Sequence, residues 1–477
     1  MKFISDNGPH IKSDDSTRKI MTRLLIALMP IVCFAIFKNS ILVYLKTNAS
    51  VIDVINPILM IIVGIVTSYL SEALYIKIFN KKSIKDTIRE TSKSFAVIPG
   101  LFLALVLPAN TPLYLVCFGA FTGSVIGKMI FGGFGNNIFN PALIGYLMVS
   151  ASYQGLIGSY LNLYELDTIS GATALTNLSN MGYYGSYDAL VSPYGSLFNF
   201  LFGMIPGTIG EVSKLLIILA FIYLTITKTI KWRIPVMYTL TVFLSTFIIG
   251  NILSLGVWYP LFHVLSGGLL FGAVFMATDP VTSPITKSGQ VLYGISLGIL
   301  TVLLRFLTPY PEGVMTSILF MNLLVFLFDK IGLKIKNDKK NLVVPYIIII
   351  LLFISVSLGI GFKVNKEVLS KDNKDNLNVD IIDIKDNGNT KTYNVSSKGW
   401  GVIKASIEVS NDKIISILIT DSSSETQWNE IEKVNYLDDL IKNQDDIDSL
   451  DAVSGSTRTS NGLKNMIKKV KGDINEK

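Results

Sequence analysis

The sequence predicts a polytopic α-helical membrane protein of about ten transmembrane helices, with an eleventh leading into a small C-terminal α+β domain outside the membrane. Three observations carry this. Of 477 residues, 50% are hydrophobic and only 16% are charged, a balance foreign to a soluble globule. Apolar runs near the length needed to cross a hydrocarbon core recur along most of the chain, separated by basic clusters. After residue 400 the apolar runs give way to partial alternation and a turn signal.

Taken in order, residues 1–20 form a polar tail with Lys2, Lys12, Arg18 and Lys19, expected in the cytoplasm and without a cleavable signal peptide. Apolar runs at 21–37 and 55–79 are followed by the basic loop from Lys81 to Lys93. Runs at 94–108, 113–130 and 140–153 then put the long loop 154–213 on the outer side. The run 214–227 returns to Lys228, Lys231 and Arg233. Runs at 234–252, 258–276, 290–308 and 314–330 end at the basic stretch Lys334–Lys340. Each basic cluster falls on one side, as the positive-inside rule requires. The expected organisation is a membrane domain over 21–341, an anchor helix over 342–363, a linker over 364–397 and a soluble domain over 398–477. In that domain, 402–409, a turn at Asn411-Asp412 and 414–419 read as a β-hairpin, with helices near 428–442 and 461–471.

Net charge is +7, but the cations flank apolar runs, so they are read as topology signals in contact with a lipid membrane rather than as a nucleic-acid surface. Cys33 and Cys117 both sit in apolar runs and are expected as buried small hydrophobes. Two thiols are too few for an iron–sulfur cluster.

The long loop carries Asp167-Thr168-Ile169-Ser170-Gly171-Ala172-Thr173, and a close copy returns as Asp451-Ala452-Val453-Ser454-Gly455-Ser456-Thr457. One such quartet is ordinary turn sequence, but two seven-residue copies in different settings are not. Small neighbours leave a threonine hydroxyl approachable for a phosphate-linked group, and the acid six positions earlier offers a second protein a grip. Tyr160, Tyr164, Tyr183, Tyr184, Tyr187 and Tyr194 surround the first copy and read mainly as interfacial aromatics.

Gly132-Gly133-Phe134-Gly135-Asn136-Asn137-Ile138-Phe139-Asn140-Pro141 and Ser266-Gly267-Gly268 through Ala277-Thr278-Asp279-Pro280-Val281-Thr282-Ser283-Pro284 both interrupt apolar stretches. Irregular backbone at membrane depth must line a cavity or be buried in protein, so a cofactor or ion pocket is expected at Asn136, Asn137 and Asn140, with close helix packing as the competing reading. The pairing also suggests an inverted repeat. Asp279, with Thr278, Thr282 and Ser283, and Glu72 are candidate ion-path groups; Arg305 is a third intramembrane charge, and His263 reads as an interface histidine.

Residues 1 to about 340 resemble the RnfD/NqrB family of membrane subunits, most of all the D subunit of the Rnf complex. The two glycine-rich runs, the Ser170–Thr173 loop and Pro311-Glu312-Gly313 carry the resemblance. It implies covalent FMN on Thr173, with Asp167, Ser170 and Gly171 as its motif, and a non-covalent riboflavin near the Gly132–Pro141 run. Residues from about 343 to 477 resemble the FMN-binding domain of Rnf G and Nqr C subunits. That implies a second covalent FMN on Thr457, with Asp451, Ser454 and Gly455 as its motif. Here Ser456 stands where Ala is usual, and Gln-Trp follows Glu425-Thr426 where the family has Pro-Gly. The expected function is a flavin-carrying subunit of an ion-translocating oxidoreductase of the ferredoxin:NAD type in the cell inner membrane, with no complete active site of its own. Expected partners are other Rnf-type subunits and a flavin transferase. Two rival readings are a flavin relay to extracellular acceptors and a urea-transporter-like solute channel.

Overall fold

A computed structural model describes residues 16–46, 51–153, 173–211, 213–308, 313–337 and 343–376, then 379–386, 390–398, 402–410, 413–422, 428, 431–432, 435–444, 446–447, 450–451, 453 and 457–475. The chain divides into two compact units, Met1–Asn365 and Lys366–Lys477.

The regular elements of the first unit are all helices among its described residues. Five stretches are long and apolar enough to cross a membrane: Thr17–Lys46, Val54–Phe79, Arg233–Ile252, Lys287–Leu307 and Val344–Val368. Two bent pairs, Trp258–Leu265 with Leu269–Met276 and Val314–Asn322 with Val325–Ile335, raise the number to seven if each is one span. The other four apolar runs become shorter helices: Val97–Val106, Leu113–Met129, Pro141–Ser152 and Lys214–Ile226. Every expected run is thus a helix, and among the described residues five to seven of them are long and apolar enough to span by length and composition. A 10-residue helix such as Val97–Val106 rises roughly 15 Å, half a hydrocarbon core. Leu107 turns to extended backbone ahead of Pro108, which stops that helix. Asn140 caps Pro141–Ser152, its side chain accepting from the Ala142 N–H at 3.1 Å, with Pro141 suited to the first helical position.

Two glycine contacts show how tightly these helices approach. A Cβ on Gly100 would lie 1.9 Å from the Gly64 carbonyl oxygen, and one on Gly145 would lie 2.3 Å from that of Gly119. Backbone therefore meets backbone, the usual solution where lipid supplies no hydrophobic drive between helices. The two half-length elements also touch: the Phe102 ring stands 6.1 Å from Phe271 and 6.2 Å from Phe275. Cys33 is exposed on its helix and Cys117 half-buried, so the expectation that both are buried fails; Cys33 faces outward from a helix that presents apolar side chains around it.

The second unit holds four antiparallel strands in the order β1-β2-β3-β4: Val379–Asp386, Lys391–Lys398, Val402–Ser410 and Lys413–Ser422. The expected hairpin is β3–β4. The expected linker over 364–397 is corrected: the helix Val343–Asn376 runs through its first part, and β1 and β2 occupy the rest. Tyr393 and Val395, two apart on β2, are buried despite polar neighbours. They pair with Ile407 and Ala405, which are buried too. The helix Thr457–Asn475 covers this face with Leu463, Met466, Ile467 and Val470, an apolar stripe at helical spacing. The helix Tyr436–Lys442 adds Tyr436 and Leu440.

Candidate functional site

Thr173 is the N-cap of the helix Ala174–Asn180. Its Oγ accepts from the Thr176 N–H at 3.2 Å and lies 2.8 Å from the Thr176 hydroxyl. It is only 3% exposed, so the hydroxyl is enclosed rather than open as its small neighbours suggested. Asp167, Ser170, Gly171, Tyr160 and Tyr164 lie outside the described residues. The rest of the loop is fastened to the membrane helices. Asn177 donates to the Tyr194 hydroxyl at 2.8 Å, Tyr259 donates to the Tyr183 carbonyl at 3.0 Å, and the Tyr183 ring stands 4.9 Å from Phe306.

Thr457 is the first residue of the helix Thr457–Asn475, where the leading N–H groups have no intrahelical acceptor and suit a phosphate. Ser454 and Gly455 lie outside the described residues. Asp451 is exposed, and Val453 donates its N–H to Ser460 Oγ at 3.1 Å. Burial, and then the nearby Asp451 carboxylate, push the Tyr436 phenol above its usual range.

The two glycine-rich runs, distant in sequence, meet around a pocket. Phe95, Phe102, Phe134 and Phe275 form apolar walls, and Lys128, Asn137, Asn140, Thr278 and Asp279 supply polar groups. The Phe95 and Phe134 rings are 5.9 Å apart, and Lys128 Nζ lies 5.5 Å from the Phe134 centroid, within cation–π range. With its amide oriented to satisfy both ends, Asn322 accepts from the Asn140 N–H at 3.0 Å and donates to the Thr282 carbonyl at 3.2 Å, bridging the runs. Asn136 turns away, its amide donating to the Gly132 carbonyl at 3.2 Å.

The two candidate ion-path carboxylates differ. Glu72 is fully buried, and its Oε2 stands 2.8 Å from Lys128 Nζ. Lys128 also donates to the Ser94 carbonyl at 2.8 Å, and the Ser94 hydroxyl donates to Glu72 Oε1. Asp279 is half-buried at the pocket wall and accepts from Thr282 Oγ at 3.0 Å. Arg305 is fully buried, and one guanidinium nitrogen donates to the His263 carbonyl at 2.7 Å. His263 is buried between Tyr259, at 4.7 Å, and Phe306, at 5.2 Å. Among the described residues no three His, Cys, Asp or Glu side chains gather as metal ligands.

Sequence reasoning missed Lys128, Ser94 and Asn322. A lone lysine inside the 113–130 run was the available signal for the first. It also missed Lys38, Glu211 and Lys214, all buried, of which Lys38 donates to the Ile205 carbonyl and Lys214 to the Glu211 carbonyl.

Broken helices around a pocket define a multi-helix membrane protein, and the chain carries a small α+β domain after it. Residues 4–336 match the NQR2, RnfD, RnfE family, and residues 399–471 match the FMN-binding domain. The chain belongs to the NQR2, RnfD, RnfE family and carries a C-terminal FMN-binding domain. It is 36% identical over 337 residues to the D subunit of the proton-translocating ferredoxin:NAD(+) oxidoreductase complex of Clostridium ljungdahlii, covering 70% of this chain and 96% of that one. The D subunit of the Na(+)-translocating ferredoxin:NAD(+) oxidoreductase complex of Acetobacterium woodii is 33% identical over 324 residues, 68% of this chain and 92% of that one. The B subunit of the Na(+)-translocating NADH-quinone reductase of Chromohalobacter salexigens is 40% identical over 247 residues, 50% of this chain and 58% of that one.

Proposed function

We propose that this chain is a flavin-carrying subunit of an Rnf-type electron transport complex, which passes electrons through FMN bound covalently at Thr173 and Thr457 and couples their flow to Na⁺ or H⁺ movement. The observation that carries this is the repeated Asp-x-x-Ser-Gly-x-Thr motif, each copy ending where a helix begins. Attachment is a group transfer from FAD. The threonine Oγ bonds to the FMN-side phosphorus, the pyrophosphate P–O bond breaks, AMP leaves, and the hydroxyl proton passes to the transferase or to water.

The residues present suit the group. The leading N–H groups of Thr457–Asn475 offer donors to a phosphate diester. The pocket's aromatic walls with a few convergent amides suit a flat tricyclic ligand, which supports a non-covalent riboflavin there. Bound flavin supplies one- and two-electron redox chemistry. Phe95 and Phe134 would give it an aromatic wall, Asn137 and Asn140 would meet its polar edge, and Lys128 would hold positive charge beside it. In this reading both threonines lie on the outer side of a ten-crossing domain in the cell inner membrane. One flavin then serves the other without a membrane crossing, and one extracytoplasmic transferase modifies both. Partner subunits supply the nicotinamide and ferredoxin chemistry.

Mass spectrometry of the intact chain, co-expressed with a flavin transferase, tests the attachment. Two FMN additions are expected, and Thr173→Val and Thr457→Val should each remove one. An unmodified chain in the presence of active transferase would overturn the reading.

A further inference from the structure

We propose that the helix Ile84–Lys93 lies in the headgroup layer of the membrane and is a binding surface for acidic phospholipids. The helix follows directly on the candidate span Val54–Phe79. Val66, Leu70, Leu74 and Ile78 recur every fourth residue along that span and are all exposed, the stripe that a span turns toward acyl chains. Its 26 residues rise roughly 39 Å, more than a hydrocarbon core of about 30 Å. The last turn carries Lys77, and Lys81 and Lys82 follow it, so this end emerges among the headgroups. Ser94, the C-cap of the short helix, donates its hydroxyl to the Glu72 side chain, about two turns before Phe79. The short helix is thus tied back to the span near its end and held at headgroup depth.

Helical spacing sorts its side chains into four sectors. Thr87 and Thr91 are buried, each hydroxyl donating to the carbonyl one turn earlier, at 2.9 and 2.8 Å. Next around the helix come Ile84 and Ile88, 64% and 53% exposed. Lys85, Arg89 and Lys93 follow, and then Asp86 and Glu90. The cations therefore stand between the isoleucines and the acids. That is the order of a helix lying in an interface: apolar side chains toward the acyl boundary, cations at the phosphates, acids toward water. Long Lys and Arg stems rest on the apolar layer while their charges reach the phosphates. Lys82 is engaged by Glu90, but Lys85, Arg89 and Lys93 make no ion pair among the described residues. Neutral phospholipid would cover the isoleucines and leave these three charges without a counter-ion. Acidic phospholipid supplies both the acyl chain and the anion.

The test uses the full chain in lipid nanodiscs, with Cys33 and Cys117 replaced by serine and one bimane label at Ile84→Cys, Ile88→Cys, Asp86→Cys or Glu90→Cys. Labels at 84 and 88 should be quenched by lipids brominated on the acyl chain, and labels at 86 and 90 by acrylamide in the water. Acrylamide quenching at 84 and 88 would put that face in water and overturn the proposal. Shielding of 84 and 88 from both quenchers would mean that protein covers them, and would overturn it too. The lipid class is read at Ile88→Cys in equimolar phosphatidylglycerol and phosphatidylcholine, brominating one lipid and then the other. Quenching should report about fivefold local enrichment of phosphatidylglycerol. Lys85→Gln, Arg89→Gln and Lys93→Gln together should remove the enrichment, whereas Lys85→Arg with Lys93→Arg, which keeps the charges, should retain it. No enrichment in the unsubstituted helix, enrichment that survives the glutamines, or equal loss with arginine would each overturn the assignment to acidic lipid.

Discussion

Lys128 Nζ lies 2.8 Å from Glu72 Oε2, both side chains almost wholly shielded, and the same lysine lines the pocket beside Phe134. The pair joins the Val51–Phe79 helix to the end of the Leu113–Met129 stretch, and the Ser94 carbonyl and hydroxyl complete its hydrogen bonds. A buried charge stripped of its partner is strongly destabilising, whereas removing both charges together is far less so. Glu72→Gln or Lys128→Met alone should each cost about 3 kcal/mol, and the double substitution less than either. Thermal unfolding of the four detergent-solubilised chains measures this. Additive losses would show that the two groups do not depend on each other.

Backbone contact between Gly64 and Gly100 sets a second expectation. A methyl at position 100 would need space that the Gly64 carbonyl occupies, at 1.9 Å. Gly100→Ala should lower stability by about 3 kcal/mol, the upper part of the overpacking range, and shift the half-length helix that forms a pocket wall. Unfolding in detergent reads the first effect, and loss of non-covalent flavin the second.

The pocket's aromatic wall leads to a third. Phe134→Ala removes a ring 5.9 Å from Phe95 and the face that Lys128 approaches. Retention of acid-extractable flavin should fall roughly tenfold, as expected for one lost stacking partner. Covalent FMN, counted by mass on the same sample, should not change.

Tyr436 provides a pH signature for the C-terminal unit. Burial, then Asp451, holds its phenol protonated to a higher pH than in the unfolded chain. A raised folded-state pKa means this contribution is complete below about pH 10 and is lost as pH rises past it, because the unfolded chain ionises first. Stability of the unit should therefore decline in the alkaline range, and Tyr436→Phe should flatten the decline. Absorbance titration of the phenol should show its midpoint move down in Asp451→Asn.

Topology can be tested directly. Single cysteines introduced at Ser179 and Asp446, in a background lacking Cys33 and Cys117, should both react with an impermeant maleimide added to intact cells. A cysteine at Lys85 should not react until the membrane is breached. Opposite labelling of the first two positions would break the proposed passage between the flavins.

Much of this was legible in sequence because it depends on local rules. Apolar runs, basic clusters and the Asn411-Asp412 turn were each visible within short windows. The linker reading failed because β1 and β2 are rich in Asp, Asn, Lys and Ser. Their one apolar face, Val379, Tyr393 and Val395, gains meaning only against a helix some 70 residues later. The glycine-rich runs announced a break in each helix, but not that Asn322 would tie one run to the other.

The sequence by itself determined the class of molecule, the family resemblance, the two threonines and the places where helices must stop. Those follow from residue chemistry and spacing along the chain. Tertiary structure alone decided that the Lys128 ammonium meets Glu72, that Thr173 caps a helix and is enclosed, and that Ser460 accepts from the Val453 N–H. The physical reason is that a buried polar atom needs a partner, and the chain segment that supplies the partner is brought there by packing, which no short window of sequence contains.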